Sequence, residues 1–346
     1  MQCENTTSTT RNVSFSSNMN DSFTNLDLSL ADNLKLSLQA LIALFGIAGN
    51  VLVFIVLREL RNKKSTTDVY VQNLAIADLG VLLLAFPLVA IREKAPFGWP
   101  LGKFVCLYLY PIPDIFQGAS VWCIAAIAIE RYRKILTPPR HHENRHKSSL
   151  KRAKTISACV WLASFLIFSL PLYFVVQYRE FPNGGVWCGP QWPAWDRRLV
   201  LARTYIGLLT VFSYVVPLAV ISWTYLAISR TIRRSSLFIK ALKREDGEAN
   251  DKDRRSLTSK NTRLRQNKRA KKILTPIVVA FAITMLPLSI LRITVVVWTA
   301  IVTLKYYKHL LYAVSVSTMI NSSANPLIYS VASKTFRGRI KKLLWF

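Results

Sequence analysis

Seven stretches of this sequence are too long and too apolar for an ordinary soluble core. They run over about 34–57, 69–91, 105–130, 155–177, 200–228, 273–301 and 309–331. A helix rises ~1.5 Å per residue and the hydrocarbon core of a bilayer is ~30 Å thick, so about twenty apolar residues suffice to cross it. Backbone in lipid must satisfy its own hydrogen bonds, which leaves helices or closed barrels. The runs are continuous rather than alternating, which favours helices. The expected fold is an all-α membrane protein, a seven-transmembrane helix bundle over 34–331. A tail of 33 residues precedes it and a short segment, 332–346, follows.

Charge orients the bundle. Of 46 Lys and Arg residues, 34 fall in the loops after the first, third and fifth runs and in the C-terminal segment. Such an excess marks the cytoplasmic side, so the N-terminus is expected outside and the C-terminus inside, in the plasma membrane. The basic residues hug span ends, which points to anionic lipid headgroups and excludes nucleic acid as the expected partner. Residues 1–33 are rich in Ser, Thr and Asn and read as disordered. Asn5, Asn12 and Asn20 each open an Asn-X-Ser/Thr triplet, so all three are expected glycosylation sites.

Cys106 at the outer start of the third run and Cys188 in the loop after the fourth both face an oxidising compartment, and a disulfide between them is expected. Cys123 and Cys159 read as small buried apolar residues, and Cys3 receives no role. The Trp-rich loop GGVWCGPQWPAW reads either as a lid over a cavity or as an interfacial anchor. The loop 244–272 is charged throughout. Its middle is expected to be disordered and its ends to prolong the fifth and sixth helices. His141, His142 and His146 lack the carboxylate or cysteine cluster that would make them a metal site. In KTFRGRIKKLLWF, Phe336, Ile340, Leu343 and Leu344 share one helical face with basic residues elsewhere, which reads as an amphipathic helix on the inner leaflet.

Ionisable groups inside spans are functional candidates. Asp78 stands alone in the inner half, in QNLAIADLG, and needs a cation, a proton or several donors. Asn321 and Asn325 lie one turn apart, and with Ser120 and Asn50 they are expected to surround it. Pro326 loosens the seventh helix locally. Glu130 and Arg131 sit at the inner end of the third span.

Taken together, these residues resemble the rhodopsin-like (class A) G-protein-coupled receptors. The likeness runs through all seven spans: Asn50 in GNVLV, Asp78 in NLAIADL, Cys106 followed by ERY with Arg131, Trp161, Pro217 with Tyr225, Phe281 and Pro287, and NPLIY. The resemblance implies that Asp78, Ser120, Asn321, Ser322 and Asn325 form an allosteric sodium site, with no other cofactor. It implies that Glu130, Arg131, Tyr132, Tyr225, Phe281, Pro287, Asn325, Pro326 and Tyr329 serve activation and coupling to a heterotrimeric G protein. Arrestin and a receptor kinase are further implied partners. Pro217, Val121 and Phe281 match the family's repacking core.

Two departures stand out. Met285 replaces the usual Trp of the sixth span. Asn267 stands where many relatives carry an acid that ties down Arg131, which implies a weakened resting lock and raised basal signalling. Met319 replaces the Lys that a photopigment requires. Pro113 stands at the position of the usual amine-binding Asp, with Asp114 beside it, and the two prolines of YPIPDIF should break that helix turn. What remains resembles the neuropeptide receptors. Asp114, Gln117, Arg292, Arg92, Glu93 and Tyr312 are the candidate ligand contacts, with carboxylate and guanidinium groups suited to charge-assisted pairing. A small-amine receptor is the alternative. A transporter or channel is disfavoured by the lack of repeats and of a charged pathway, and an intramembrane enzyme by the lack of a nucleophile–base pair.

Overall fold

The computed structural model describes residues 9–59, 64–94, 98–136, 143–182, 184–193, 195, 199–245, 251–304, 306–332 and 336–340, with backbone alone for 9–29, 93–94, 143–146, 242–245, 251–257, 270, 273, 303 and 332. Among the described residues six helices are long and apolar enough to cross a membrane. We number them α1 (Leu30–Glu59), α2 (Thr66–Arg92), α3 (Gly102–Leu136), α4 (Lys147–Val175), α5 (Val200–Ala241) and α6 (Thr258–Val297). The seventh, α7 (Tyr307–Ala332), has the length, but Asn321, Ser322, Ser323 and Asn325 dilute its apolar character. Packing against α1 and α6 places it in the bundle.

Burial picks out the centre. In α3, 61% of the apolar window lies inside the bundle, against 28–39% for the other five helices, and α3 packs on α2, α4, α5 and α6. Side chains such as Leu34, Leu41, Phe45, Leu162 and Ile283 project outward from the other helices, a surface that suits acyl chains rather than water.

Four helices widen into a π-turn: Val81–Ala85, Val105–Leu109, Phe165–Ser169 and Val211–Val215. Each ends two residues before a proline, at Pro87, Pro111, Pro171 and Pro217. Proline lacks the N–H and its ring crowds the preceding turn, so the wider turn absorbs both defects without ending the helix. At Tyr110–Pro111 the helix does give way to a turn before it resumes at Ile112, as the YPIP run led us to expect.

Between α4 and α5 an antiparallel hairpin pairs β1 (Val176–Glu180) with β2 (Val186–Pro190), Tyr178 opposite Cys188. Gly184 takes φ 78° in its turn, a conformation that a side chain resists. This end of the bundle is the hairpin end, and the other, rich in Lys and Arg, is the basic end. At ~1.5 Å per residue, the 42 residues of α5 and 40 of α6 reach about twice the ~30 Å apolar core, so both continue beyond it at the basic end.

Three expectations need correction. Helical backbone extends back from α1 to Thr9, where irregular structure was expected. No Gly or Pro precedes Gly46, so nothing in the tail forces the helix to stop. The sixth helix likewise begins at Asp251 and the fifth runs to Glu245. Helix therefore covers most of the charged loop, with only 246–250 outside the described residues. Cys159 is exposed on the bundle surface rather than buried, whereas Cys123 is buried. A thiol is apolar enough to suit lipid. The side chains of Cys3, Asn5, Asn12, Asn20, Glu93, His141, His142 and His146, and the tail beyond Ile340, lie outside the described residues. Helical backbone is present at 336–340.

Candidate functional site

The polar residues form three groups along the bundle axis. At the hairpin end, Cys106 and Cys188 are joined in a disulfide with Cα atoms 5.8 Å apart, fixing β2 to the start of α3. Trp99 is buried against them with Leu172, Val175 and Val176, and its backbone N–H donates to the Val186 carbonyl at 3.0 Å. Trp192 packs on Tyr205 with ring centres 5.7 Å apart. The aromatic loop thus covers the bundle mouth, although Trp195 points outward at 75% exposure.

Beneath this cover Asp114 of α3 and Arg292 of α6 face one another without closing an ion pair among the described residues. Arg292 Nη1 instead donates to Ser213 Oγ of α5 at 2.9 Å. Tyr205 borders the same two charges and its hydroxyl donates to the Phe168 carbonyl at 2.7 Å. Gln117, one turn below Asp114, is buried and donates from Nε2 to the Met285 sulfur at 3.6 Å. Met285 is completely buried, at the position where the resemblance led us to expect an indole. The other candidates lie apart. Arg92 is hydrogen-bonded to the Tyr110 hydroxyl and stacked over its ring, and Tyr312 lies under Lys35 of α1. Tyr205, Ser213 and Tyr110 were not foreseen, because hydroxyls on an apolar helix carry no signal until the helices are docked.

The middle group centres on Asp78, which is fully buried. Ser120 Oγ donates to its Oδ1 at 2.7 Å and Asn325 Nδ2 to its Oδ2 at 2.8 Å. The Ser322 hydroxyl also faces the carboxylate. Asn50 does not bond Asp78, contrary to expectation. Its amide donates to the carbonyls of Gly46 at 2.9 Å and Ser322 at 3.1 Å, where Pro326 leaves the Ser322 carbonyl without its usual i+4 donor. Asn321 turns its Oδ1 to the Thr284 hydroxyl at 3.0 Å, and its buried Nδ2 has no partner among the described residues. Thr284 is a member of this group that sequence reading missed. The oxygens of Asp78, Ser120 and Ser322 are hard ligands of the kind a small cation takes, whereas the Asn321 oxygen is turned to Thr284.

At the basic end, Glu130 accepts from Thr66 and pairs with Lys134 at 3.8 Å, and Arg339 reaches Asp68 at 3.7 Å. Arg131 lies near Asp68, Tyr329 and Glu130 but closes no ion pair among the described residues. Tyr329 stacks edge-on against Phe336, and its buried hydroxyl has no partner among the described residues. Tyr225 lies beside Thr275, with Lys271 over its ring at 5.2 Å, rather than beneath Arg131. Tyr132 packs on Trp223. Phe281, Val121 and Ile221 are fully buried in one apolar cluster, joined by Tyr214 at 6.1 Å from Phe281. Pro287 lies within α6 and Pro326 within α7.

Known proteins share this arrangement. Residues 49–329 match the family model described as 7 transmembrane receptor (rhodopsin family). The chain is 27% identical over 307 residues to somatostatin receptor type 2 of Mus musculus, covering 88% of this chain and 74% of the relative. It is 28% identical over 311 residues to the type 5 receptor of Rattus norvegicus, covering 89% and 76%. It is 28% identical over 308 residues to the type 4 receptor of Rattus norvegicus, covering 88% and 71%. With seven helices in order, a fully buried Asp78 and a family match over most of its length, the chain belongs to the rhodopsin family of seven-transmembrane, G-protein-coupled receptors, and is a receptor rather than an enzyme.

Proposed function

We propose that this receptor binds a peptide at the hairpin end and passes the signal to a heterotrimeric G protein at the basic end. It lies in the plasma membrane with its N-terminus outside, glycosylated at Asn5, Asn12 and Asn20. The observation that carries the peptide reading is the pair Asp114 and Arg292. Two opposite charges face one another at this end without closing an ion pair among the described residues, so a ligand with a cation and a carboxylate or amide oxygen completes both. The relatives, named as receptors for somatostatin, support the same class of ligand. Gln117, Arg92, Glu93 and Tyr312 are secondary contacts.

Sodium at Asp78 favours the resting packing, and an agonist shifts the balance only by its differential affinity for the active state. Glu130, Arg131, Tyr225 and Tyr329 carry the conversion at the basic end. Arrestin and a receptor kinase use the same end, and the helical backbone at 336–340 lies on anionic lipid. The test is binding of a GTP analogue to membranes holding the receptor and a promiscuous Gα, screened with a peptide library. A peptide hit whose potency falls about tenfold or more in Asp114→Asn, as expected for a charge-assisted contact, supports the reading. Unchanged potency in both Asp114→Asn and Arg292→Gln refutes the proposed cleft.

A further inference from the structure

The inner sixth helix lacks the acid that ties down the third-span arginine in many relatives, since Asn267 stands there. A different contact joins the same two helices. Arg263 Nη2 of α6 donates to the Ile135 carbonyl of α3 at 2.7 Å. Residue 139, four positions on from Ile135, is a proline, so the Ile135 carbonyl lacks its usual i+4 N–H donor. A guanidinium placed on that carbonyl supplies the missing donor, as a charge-assisted bond.

The surroundings agree. Arg263 and Asn267 are four residues apart, on one face of α6, and both border a cavity of about 290 Å³ together with Ile135 and Lys260. Lys260 is held over the Phe238 ring of α5 at 5.2 Å, so α6 is tied to α5 as well as to α3. Glu130 is occupied by Thr66 and Lys134, and Arg131 closes no ion pair among the described residues. Among the described residues, neither charged member of the ERY sequence therefore holds α6.

We infer that Arg263 is a positioning residue that holds the basic end of α6 against the C-terminus of α3 in the resting receptor, a cation on α6 replacing the acid used elsewhere. The inference rests on the G-protein-coupling reading for its consequence, low ligand-free exchange, but not for the contact itself. It reverses the expectation of raised basal signalling drawn from Asn267 alone.

The test compares wild type with Arg263→Ala, Arg263→Lys and the exposed control Arg265→Ala, at matched surface expression and with one Gα. Loss of a charge-assisted bond should raise ligand-free exchange about tenfold in Arg263→Ala. Arg263→Lys, which keeps the charge but not the fork, should fall between, and Arg265→Ala should match wild type. An unchanged or lowered basal rate in Arg263→Ala overturns the inference. So does a rise of equal size in Arg265→Ala. A second readout needs no G protein. Spin labels at Arg133→Cys and Arg269→Cys, with Cys3 and Cys159 replaced, should give one short distance that acquires a longer component on Arg263→Ala. Unchanged distances overturn the inference. Longer distances without exchange from any receptor uphold the contact and refute the coupling reading instead.

Discussion

Replacing Asp78 separates the two roles that its carboxylate plays, accepting hydrogen bonds and carrying charge. In Asp78→Ala both acceptors vanish from a fully buried site. Ser120 loses its 2.7 Å bond, but a helical serine can turn its hydroxyl to the carbonyl one turn earlier, so this loss is small. The Asn325 amide has no such alternative. It is 3% exposed, and a buried donor left without a partner costs about 1–3 kcal/mol. With a small cavity added, the total should be about 2–3 kcal/mol, or a fall of about 5–10 °C in apparent Tm at ~2–4 °C per kcal/mol. Asp78→Asn differs. Its carbonyl oxygen can accept from Asn325 while its amide donates to Ser120, whose hydroxyl accepts as readily as it donates. Both bonds survive, so the expected loss is below about 1 kcal/mol. The assay is ligand-free unfolding in detergent at low sodium, followed by reaction of the buried Cys123 thiol with a fluorescent maleimide after replacement of Cys3 and Cys159. Added sodium should raise the Tm of wild type and leave Asp78→Asn unmoved. Equal destabilisation of the Ala and Asn variants would show that charge, not hydrogen bonding, holds this centre, and would refute the reasoning.

Cys188→Ser opens a loop whose ends are separated by 82 residues; the chain-entropy limit is about 4–5 kcal/mol, so ligand-free Tm should fall clearly and reductant should reproduce the fall in wild type. Trp161→Phe removes the 2.9 Å bond from Nε1 to Asn73 Oδ1 but keeps a ring against Phe116, and about 1 kcal/mol should be lost in the same assay. Gly80→Ala places a Cβ 2.1 Å from the Phe116 ring, which is itself seated on Trp161. The α2–α3 contact must then spread, and overpacking should lower Tm and surface expression by the equivalent of about 1–3 kcal/mol.

Much of the architecture was legible in the residue order because each signal is local. A helix in lipid needs only length and apolarity, so the bundle could be marked without knowing any contact, and Cys106 and Cys188, both at the less basic end, could be paired in advance. Asp78 was equally legible, since a lone carboxylate among apolar residues must find partners. The exact membership of its shell was not. Asn50 serves the carbonyl beside Pro326 instead, and Thr284 joins unannounced, because a hydroxyl on α6 acquires meaning only when α7 is laid against it. Tyr205 and Ser213 entered the hairpin-end cleft in the same way.

Sequence by itself determined the spans, the cationic asymmetry of the two ends and the buried acid, because hydrophobicity and charge are properties of residues. Only tertiary structure decided that Arg292 turns to Ser213 rather than closing on Asp114, that Met285 receives Gln117, and that Arg263 grips the end of α3. Those outcomes depend on helix rotation and depth. At ~100° of rotation and ~1.5 Å of rise per residue, a one-residue change in either redirects every polar group.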